Sequence, residues 1–283
     1  MTFAQRFQRI ACLSTEVVEV LYLLGVQDRI VGVSGFTVYP PEARRDKPHI
    51  SGYTTATLER VLAVRPDLVL AFSDMQADIV RDLVKAGIQV HVFNQRSLEG
   101  MLAMVQVVGA LAGESTRALE LSGSLAATVR SARENAVAAD VRRPKVWFEE
   151  WPEPLISGVG WVSELIDAAG GQDCFPELAL HAQARDRIVA DPLEVVARQP
   201  DLIVGSWCGR KFRPERVAAR PGWRELPAVR NGFVREIKSA DILAPGPTLV
   251  SRALGQLQRL MQEWREGPGR PDCSDPGLTS RPQ

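Results

Sequence analysis

The chain has 283 residues, with 34 Lys plus Arg balanced by 34 Asp plus Glu, and 45% of its residues are apolar. Zero net charge argues against a general nucleic-acid binder, and the length gives room for two modest lobes or one large domain. Four scattered cysteines (Cys12, Cys174, Cys208, Cys273) form no CxxC pair, and His49, His91 and His181 are equally dispersed, which argues against a disulfide framework or a metal centre.

The first residues show no basic region followed by an apolar run and a small-residue cleavage site. No stretch approaches the ~18 apolar residues of a membrane span. As written, the sequence reads as soluble and cytoplasmic, although a chain stripped of a signal would read the same way.

In chain order, residues 9–13 form a short apolar run expected to be a buried strand. Thr15 then caps a helix carrying Val17, Val18, Leu21 and Leu24, closed by Gly25. A second strand at 30–33 leads into a polar segment, 34–57, read as one long loop holding Phe36, Tyr39 and Tyr53. Loops of that length in compact chains tend to be functional. A helix at 58–64, a strand at 67–72, a helix at 76–86, a strand at 88–93 and a helix at 97–111 follow.

Residues 114–139 read as one unbroken helix. Ser115 and Thr116 supply capping oxygens, and Leu121, Leu125, Val129, Ala132 and Ala136 form an apolar stripe. After it come a strand at 145–148, a loop at 149–154, a helix at 163–169 and a long loop at 172–190. A helix at 193–198 and a strand at 201–204 precede the loop 206–213, a short helix near Glu215 and a strand at 233–237. Gly246-Pro247 opens the last helix, to about Trp264, with Pro near the first turn. Residues 267–283, rich in Gly, Pro, Ser and Asp, are expected to be a disordered tail.

The organising signal is an internal repeat. Residues 57–70 (TLERVLAVRPDLVL) match 192–204 (PLEVVARQPDLIV), and Thr15-Glu16 before an apolar helix matches Ser163-Glu164. Alternating strands and helices in each half imply mainly parallel sheets covered by helices. The fold class expected is therefore α/β, with two Rossmann-like lobes joined by the long helix. The divisions are an N-terminal lobe at 1–112, a connecting helix at 113–140, a C-terminal lobe at 141–266 and the tail. Ligands of such sheets bind outside the carboxyl ends of the strands, which here places a cleft between the lobes.

Across residues 9–264 this pattern resembles the cobalamin and iron-siderophore branch of the ABC-transporter substrate-binding proteins. Within that branch, Phe148-Glu-Glu-Trp-Pro-Glu-Pro-Leu-Ile-Ser157, Gly160-Trp-Val-Ser-Glu-Leu-Ile166, Gly205-Ser-Trp-Cys-Gly-Arg-Lys-Phe212 and Ala219-Arg-Pro-Gly-Trp223 resemble the cobalamin-binding proteins. The resemblance implies a periplasmic, monomeric binding protein whose ligand is a corrinoid. It also implies that Glu59 and Glu194, equivalent residues of the two LE helices, dock on the membrane subunits of an ABC transporter. Their other reading is that of first-turn glutamates favoured by the helix dipole.

A corrin ring has broad apolar faces and a fringe of amides, and so asks for flat aromatic contacts with a few polar groups. Tyr39, Tyr53, Phe72, Trp151, Trp161, Trp207 and Phe212 are the candidates for the faces, while Trp223 and Trp264 are assigned to packing. Ser73 and Glu150 are the first choices for the fringe, with Glu149, Arg185, Arg210 and Lys211 beside them. The alternative is that the loop aromatics anchor their loops to the core. His181 is the best placed imidazole for cobalt, with His49 and His91 expected at the surface or a strand edge. Cys208 is expected to be a small buried thiol.

There is no P-loop, GxGxxG, GxSxG or HExxH. Glu149 and Glu150, adjacent on a strand, point to opposite faces and make no catalytic dyad. No enzyme, resident cofactor or metal is expected. Alternatives that stay open are an iron-siderophore or haem carrier, a cytoplasmic corrinoid carrier or sensor without a transporter, and an enzyme using Cys208 or the acidic loop.

Overall fold

A computed structural model describes residues 7–52, 55–138 and 142–267. Tyr53, residues 139–140 of the expected connecting helix, Cys273 and the expected tail beyond Gly267 lie outside the described residues.

The N-terminal half runs β1 (Ile10–Cys12), α1 (Thr15–Leu23), β2 (Ile30–Ser34), α2 (Pro41–Asp46), β3 (His49–Ser51), α3 (Leu58–Ala63), β4 (Leu68–Phe72), α4 (Ala77–Lys85), β5 (Val90–Phe93) and α5 (Leu98–Ala112). Its five strands are all parallel, in the order β3-β2-β1-β4-β5. The order reverses between β1 and β4, where an open α/β sheet leaves a crevice at its carboxyl edge.

Helix α6 (Ser115–Ala138) follows, 24 residues without a break and about 36 Å long at 1.5 Å per residue. The second half contains β6 (Lys145–Pro152), β7 (Leu155–Ser157), α7 (Gly160–Ala168), β8 (Gln172–Asp173), α8 (Pro176–Ala179), α9 (Pro192–Arg198), β9 (Leu202–Gly205), α10 (Pro214–Ala218), α11 (Pro227–Arg230), β10 (Val234–Glu236), α12 (Ser239–Ile242) and α13 (Leu254–Glu266). Strands β10, β9 and β6 are parallel neighbours; β7 turns back antiparallel on β6, and β8 pairs with the start of β6. A π-type turn, Leu249–Ala253, leads into α13.

Strand periodicity divides the core. Ile10 and Cys12 enter the main cluster, whereas Ala11 and Leu13 face a separate cluster under α3 and α4. Val146 and Phe148 join the main cluster, whereas Trp147 joins Phe175, Trp207 and Trp223 on the other face of the second sheet. Alternate residues of a strand point to opposite faces, so a sheet covered by helices on both sides needs apolar residues at every position. The main cluster is continuous from β1 through α5 and α6 to α7 and Trp264, so it belongs to both lobes.

Four expectations need correction. The loop expected at 34–57 contains α2 and β3: Pro41 opens the helix, where its missing N–H costs nothing, and buried Ile50 anchors the edge strand. The loop expected at 149–154 is the second half of β6, which continues to Pro152 and pairs with β7. Proline is tolerated at a strand end because it has no ladder donor to lose. The loop expected at 172–190 holds β8, α8 and a 3-10 turn, Ala184–Arg187. At α1 the capping position is Ser14, one residue earlier than expected, and its hydroxyl caps nothing.

Two hydrogen bonds tie the lobes together. The Glu164 carboxylate of α7 accepts from the Leu98 amide at 2.6 Å, at the positive end of α5, and Gln95 Nε2 donates to the Pro245 carbonyl at 3.1 Å.

Candidate interlobe binding site

The expected aromatics near strand ends stand in different environments. On the second lobe, Trp207 follows β9 and is only 5% exposed. Its indole N–H donates to Glu149 Oε1 at 3.0 Å and its ring meets Phe212 edge-on at 4.9 Å. Phe212 in turn lies over Gly205, where any side chain would overlap its ring. Trp207 and Phe212 are thus built into the C-terminal core as a rigid wall.

The residue that fixes this wall is Glu149, which is fully buried. Besides Trp207 it accepts from Trp147 Nε1 at 3.0 Å, and Arg220 donates to both of its oxygens, at 2.5 and 2.8 Å. Four donors satisfy a carboxylate that would otherwise be too costly to bury. Glu149 is therefore structural, not part of a polar fringe. Glu150, on the opposite face of β6, is held by both terminal nitrogens of buried Arg187, at 2.7 and 3.2 Å.

Trp151 stays half-buried at the end of β6, with its indole N–H donating to the Glu153 carbonyl and the Arg210 guanidinium 4.7 Å over its ring. On the first lobe, Phe72 is buried at the end of β4 beneath the Arg96 guanidinium, 4.9 Å from the ring centre. Ser73 is buried with φ +62°, and its hydroxyl accepts from the Met75 amide, so it shapes the turn out of β4. Tyr39 is half-buried under Arg252, whose guanidinium lies 4.3 Å from the ring centre, and Phe36 is exposed beside it.

Trp161 differs from its expected role as an aromatic face for the ligand. It is a core residue of α7, 5% exposed, with its indole N–H on the Ile242 carbonyl at 2.9 Å. Trp223 and Trp264 are fully buried, as packing residues. Cys208 is exposed, not buried; partial covering of its sulfur, and then Glu150, raise its thiol pKa, which disfavours a reactive thiolate. His181 is exposed, and His49 is bound to the Arg44 carbonyl at 2.8 Å. Among the described residues no three His, Cys, Asp or Glu side chains converge to hold a metal ion.

Sequence reasoning missed a pocket between the lobes, formed by the start of α1, the segment after β2 and the segment after β10. Thr15, Glu16, Glu19 and Tyr39 line it from one lobe and Thr248 from the other, with Phe36 and Val38 at its apolar side. Glu19 accepts from the Thr248 amide at 3.1 Å and from its hydroxyl at 2.7 Å, a third interlobe tie. Glu16 is 4% exposed and its Oε1 has no hydrogen-bond partner. Burial pushes its carboxyl up to about 7, against the amides and hydroxyls of its own turn, which pull it down. Burial raises Glu19 as well, opposed by Thr248 and then by Arg252. The pairing of Ser/Thr-Glu at the start of α1 was the only local signal, and it reads equally well as a helix start.

The positions expected to meet a transporter, Glu59 in α3 and Glu194 in α9, are both exposed in the first turns of their helices.

Comparison with known proteins adds to this geometry. A family model described as periplasmic binding protein matches residues 10–240. An uncharacterized ABC transporter substrate-binding lipoprotein of Bacillus subtilis, YvrC, is 26% identical over 88% of this chain and 79% of its own length. A vitamin B12-binding protein of Vibrio campbellii is 24% identical over 91% of this chain and 89% of its own. Among solved structures, the apo periplasmic heme-binding protein RhuT from Roseiflexus sp. RS-1 superposes with a TM-score of 0.79 at 22% identity, covering 91% of this chain and 98% of that one. That likeness shows the two-lobed fold.

Proposed function

Because the chain belongs to the periplasmic binding protein family, we propose that it captures one cobalamin or related corrinoid between its lobes. It hands the ligand to an ABC transporter and catalyses no reaction itself. The observation that carries the ligand choice is the wall of the cleft. The half-open ring of Trp151 stands on one lobe and Tyr39 with exposed Phe36 on the other, at the strand ends where this fold binds ligands. Broad rings suit the apolar faces of a corrin, and their rigidity keeps the entropy cost of binding low. The vitamin B12-binding relative supports the same choice.

The site of action is outside the cytoplasm, in line with the lipoprotein and periplasmic relatives. Glu59 and Glu194 stand exposed on equivalent helices of the two lobes, where two like charges engage both halves of a two-fold membrane partner at once, with a gain in effective concentration.

The test is an absorbance spectrum of the purified chain after mixing with cyanocobalamin and desalting. The corrin bands should travel with the protein in a one-to-one ratio. A colourless protein fraction would refute the corrinoid reading.

A further inference from the structure

We propose that the pocket formed by Glu16, Glu19, Tyr39 and Thr248 is an acceptor subsite that takes a primary carboxamide arm of the ligand and rejects a carboxylate arm at the same place. This rests on the corrinoid reading above and adds to it the chemistry by which an amide-fringed ring is told from an acid-fringed one.

The pocket belongs to both lobes, so a ligand between them has access to it. Its polar wall is unusually rich in acceptors. Glu19 already receives two donors from Thr248, whereas Glu16 is served only from its own turn, with the Thr15 hydroxyl 3.5 Å from Oε2, and its buried Oε1 has no partner among the described residues. Buried polar atoms are almost always partnered, so an orphan acceptor lining a cavity points to a donor supplied from outside the chain. No ion pair of the described residues involves either glutamate. Arg252 rides over the Tyr39 ring and acts on Glu19 from there without pairing with it. A ligand carboxylate would therefore face two carboxyl groups of which neither is ion-paired, while an amide N–H₂ would meet the free oxygen and its carbonyl would accept from a protonated carboxyl.

Space is set by Gly246. A Cβ there would come 2.8 Å from Glu16 Cβ and 3.2 Å from Glu19 Oε2, so the chain after β10 can close on α1 only as glycine. Gly246→Ala is thus a way to disturb the subsite without removing a charge.

The experiment compares cyanocobalamin with its separate monocarboxylic acids, in each of which one peripheral amide has become an acid, by calorimetric titration of the full chain. One monoacid should bind at least tenfold more weakly than cyanocobalamin. That penalty should shrink to less than threefold in Glu16→Gln and change in Gly246→Ala. In the unmutated chain the penalty should also grow between pH 5.5 and 8 as the pocket ionises. The titratable and charged groups around the pocket are Cys12 on β1, which feels Glu16 and Lys47, and Glu19 with Tyr39, Asp241 on α12 and Arg252, which act on one another. Cys12 stays a thiol because burial raises its pKa far above neutrality. If every monoacid binds within twofold of cyanocobalamin, or the penalty survives unchanged in Glu16→Gln, the subsite is refuted and the corrinoid reading stands. If the chain binds no corrinoid at all, both fall.

Discussion

Arg220 holds both oxygens of Glu149, at 2.5 and 2.8 Å, across 71 residues of chain. The carboxylate so held is the one that fixes the Trp207 indole. A buried carboxylate that loses its cation is left uncompensated, and such losses cost roughly 3–5 kcal/mol. Arg220→Ala should therefore lower the denaturant midpoint sharply. A paired replacement, Glu149→Leu with Arg220→Leu, should recover only part of the loss, because no charge then remains buried but the Trp147 and Trp207 indole N–H groups lose their acceptor. A single Arg220→Ala variant as stable as the parent would show that the pair does not hold the wall.

Glu16 makes the stability of the chain depend on pH. Its folded pKa of about 7 lies above the ordinary 4.5, so the folded state favours the protonated form. The stability this gives is present below pH 4.5 and is lost as pH rises through 7. A rise of that size corresponds to roughly 3 kcal/mol. That exceeds the ~0.3–1 kcal/mol by which the helix dipole favours a first-turn carboxylate. Urea unfolding at pH 5 and pH 8 should show the loss in the parent and a clearly smaller one in Glu16→Gln. Equal slopes in the two proteins would mean that the Glu16 carboxyl is solvated.

Trp151 and Trp161 should separate binding from packing. Trp151, half-buried at a strand end, should on replacement by Ala cost ten- to a hundredfold in cyanocobalamin affinity, about 1–3 kcal/mol. Its effect on the melting temperature should be small. Trp161→Ala should instead destabilise the fold by roughly 3–5 kcal/mol, by opening a cavity in the main cluster and orphaning the Ile242 carbonyl. Reversed effects would exchange the roles of the two residues.

Much of this architecture was legible in the sequence because it rests on short-range rules. Apolar runs marked the parallel strands, and Ser97 and Gly113 delimit α5 with a side-chain cap and a left-handed residue. The repeat placed α3 with β4 and α9 with β9 in corresponding positions. What could not be read was long-range. Nothing near Glu149 announces Arg220, and nothing near Glu16 announces that Gly246 and Thr248 will close over it. Trp161 and Trp151 are indistinguishable as tryptophans near a turn; only the packing of α7 against α12 and α13 makes one of them core. Hidden regular structure in the loops, such as α2 and β3, rests on a single helix-opening proline and one buried isoleucine.

The lobes should move little on binding. An uninterrupted α6, a core shared by both halves and the Glu164–Leu98 and Gln95–Pro245 bonds leave few backbone positions free to act as a hinge. Lobe displacements of no more than roughly 1–2 Å are expected. Solution scattering that shows a compaction of several ångströms on adding cyanocobalamin would contradict this.

Reversing both exposed charges of the LE helices, Glu59→Arg with Glu194→Arg, should abolish transporter-dependent cobalamin uptake while cobalamin binding to the purified chain persists. Normal uptake by the double variant would leave these residues as first-turn glutamates serving the helix dipole alone.

Parallel calorimetric titrations of the full chain with cyanocobalamin, haem and a ferric siderophore decide which ligand the cleft takes. Cyanocobalamin should bind saturably, one to one, with a negative heat-capacity change, as expected for apolar faces leaving water. Saturable binding of haem or the siderophore with no heat from cyanocobalamin would contradict the corrinoid reading.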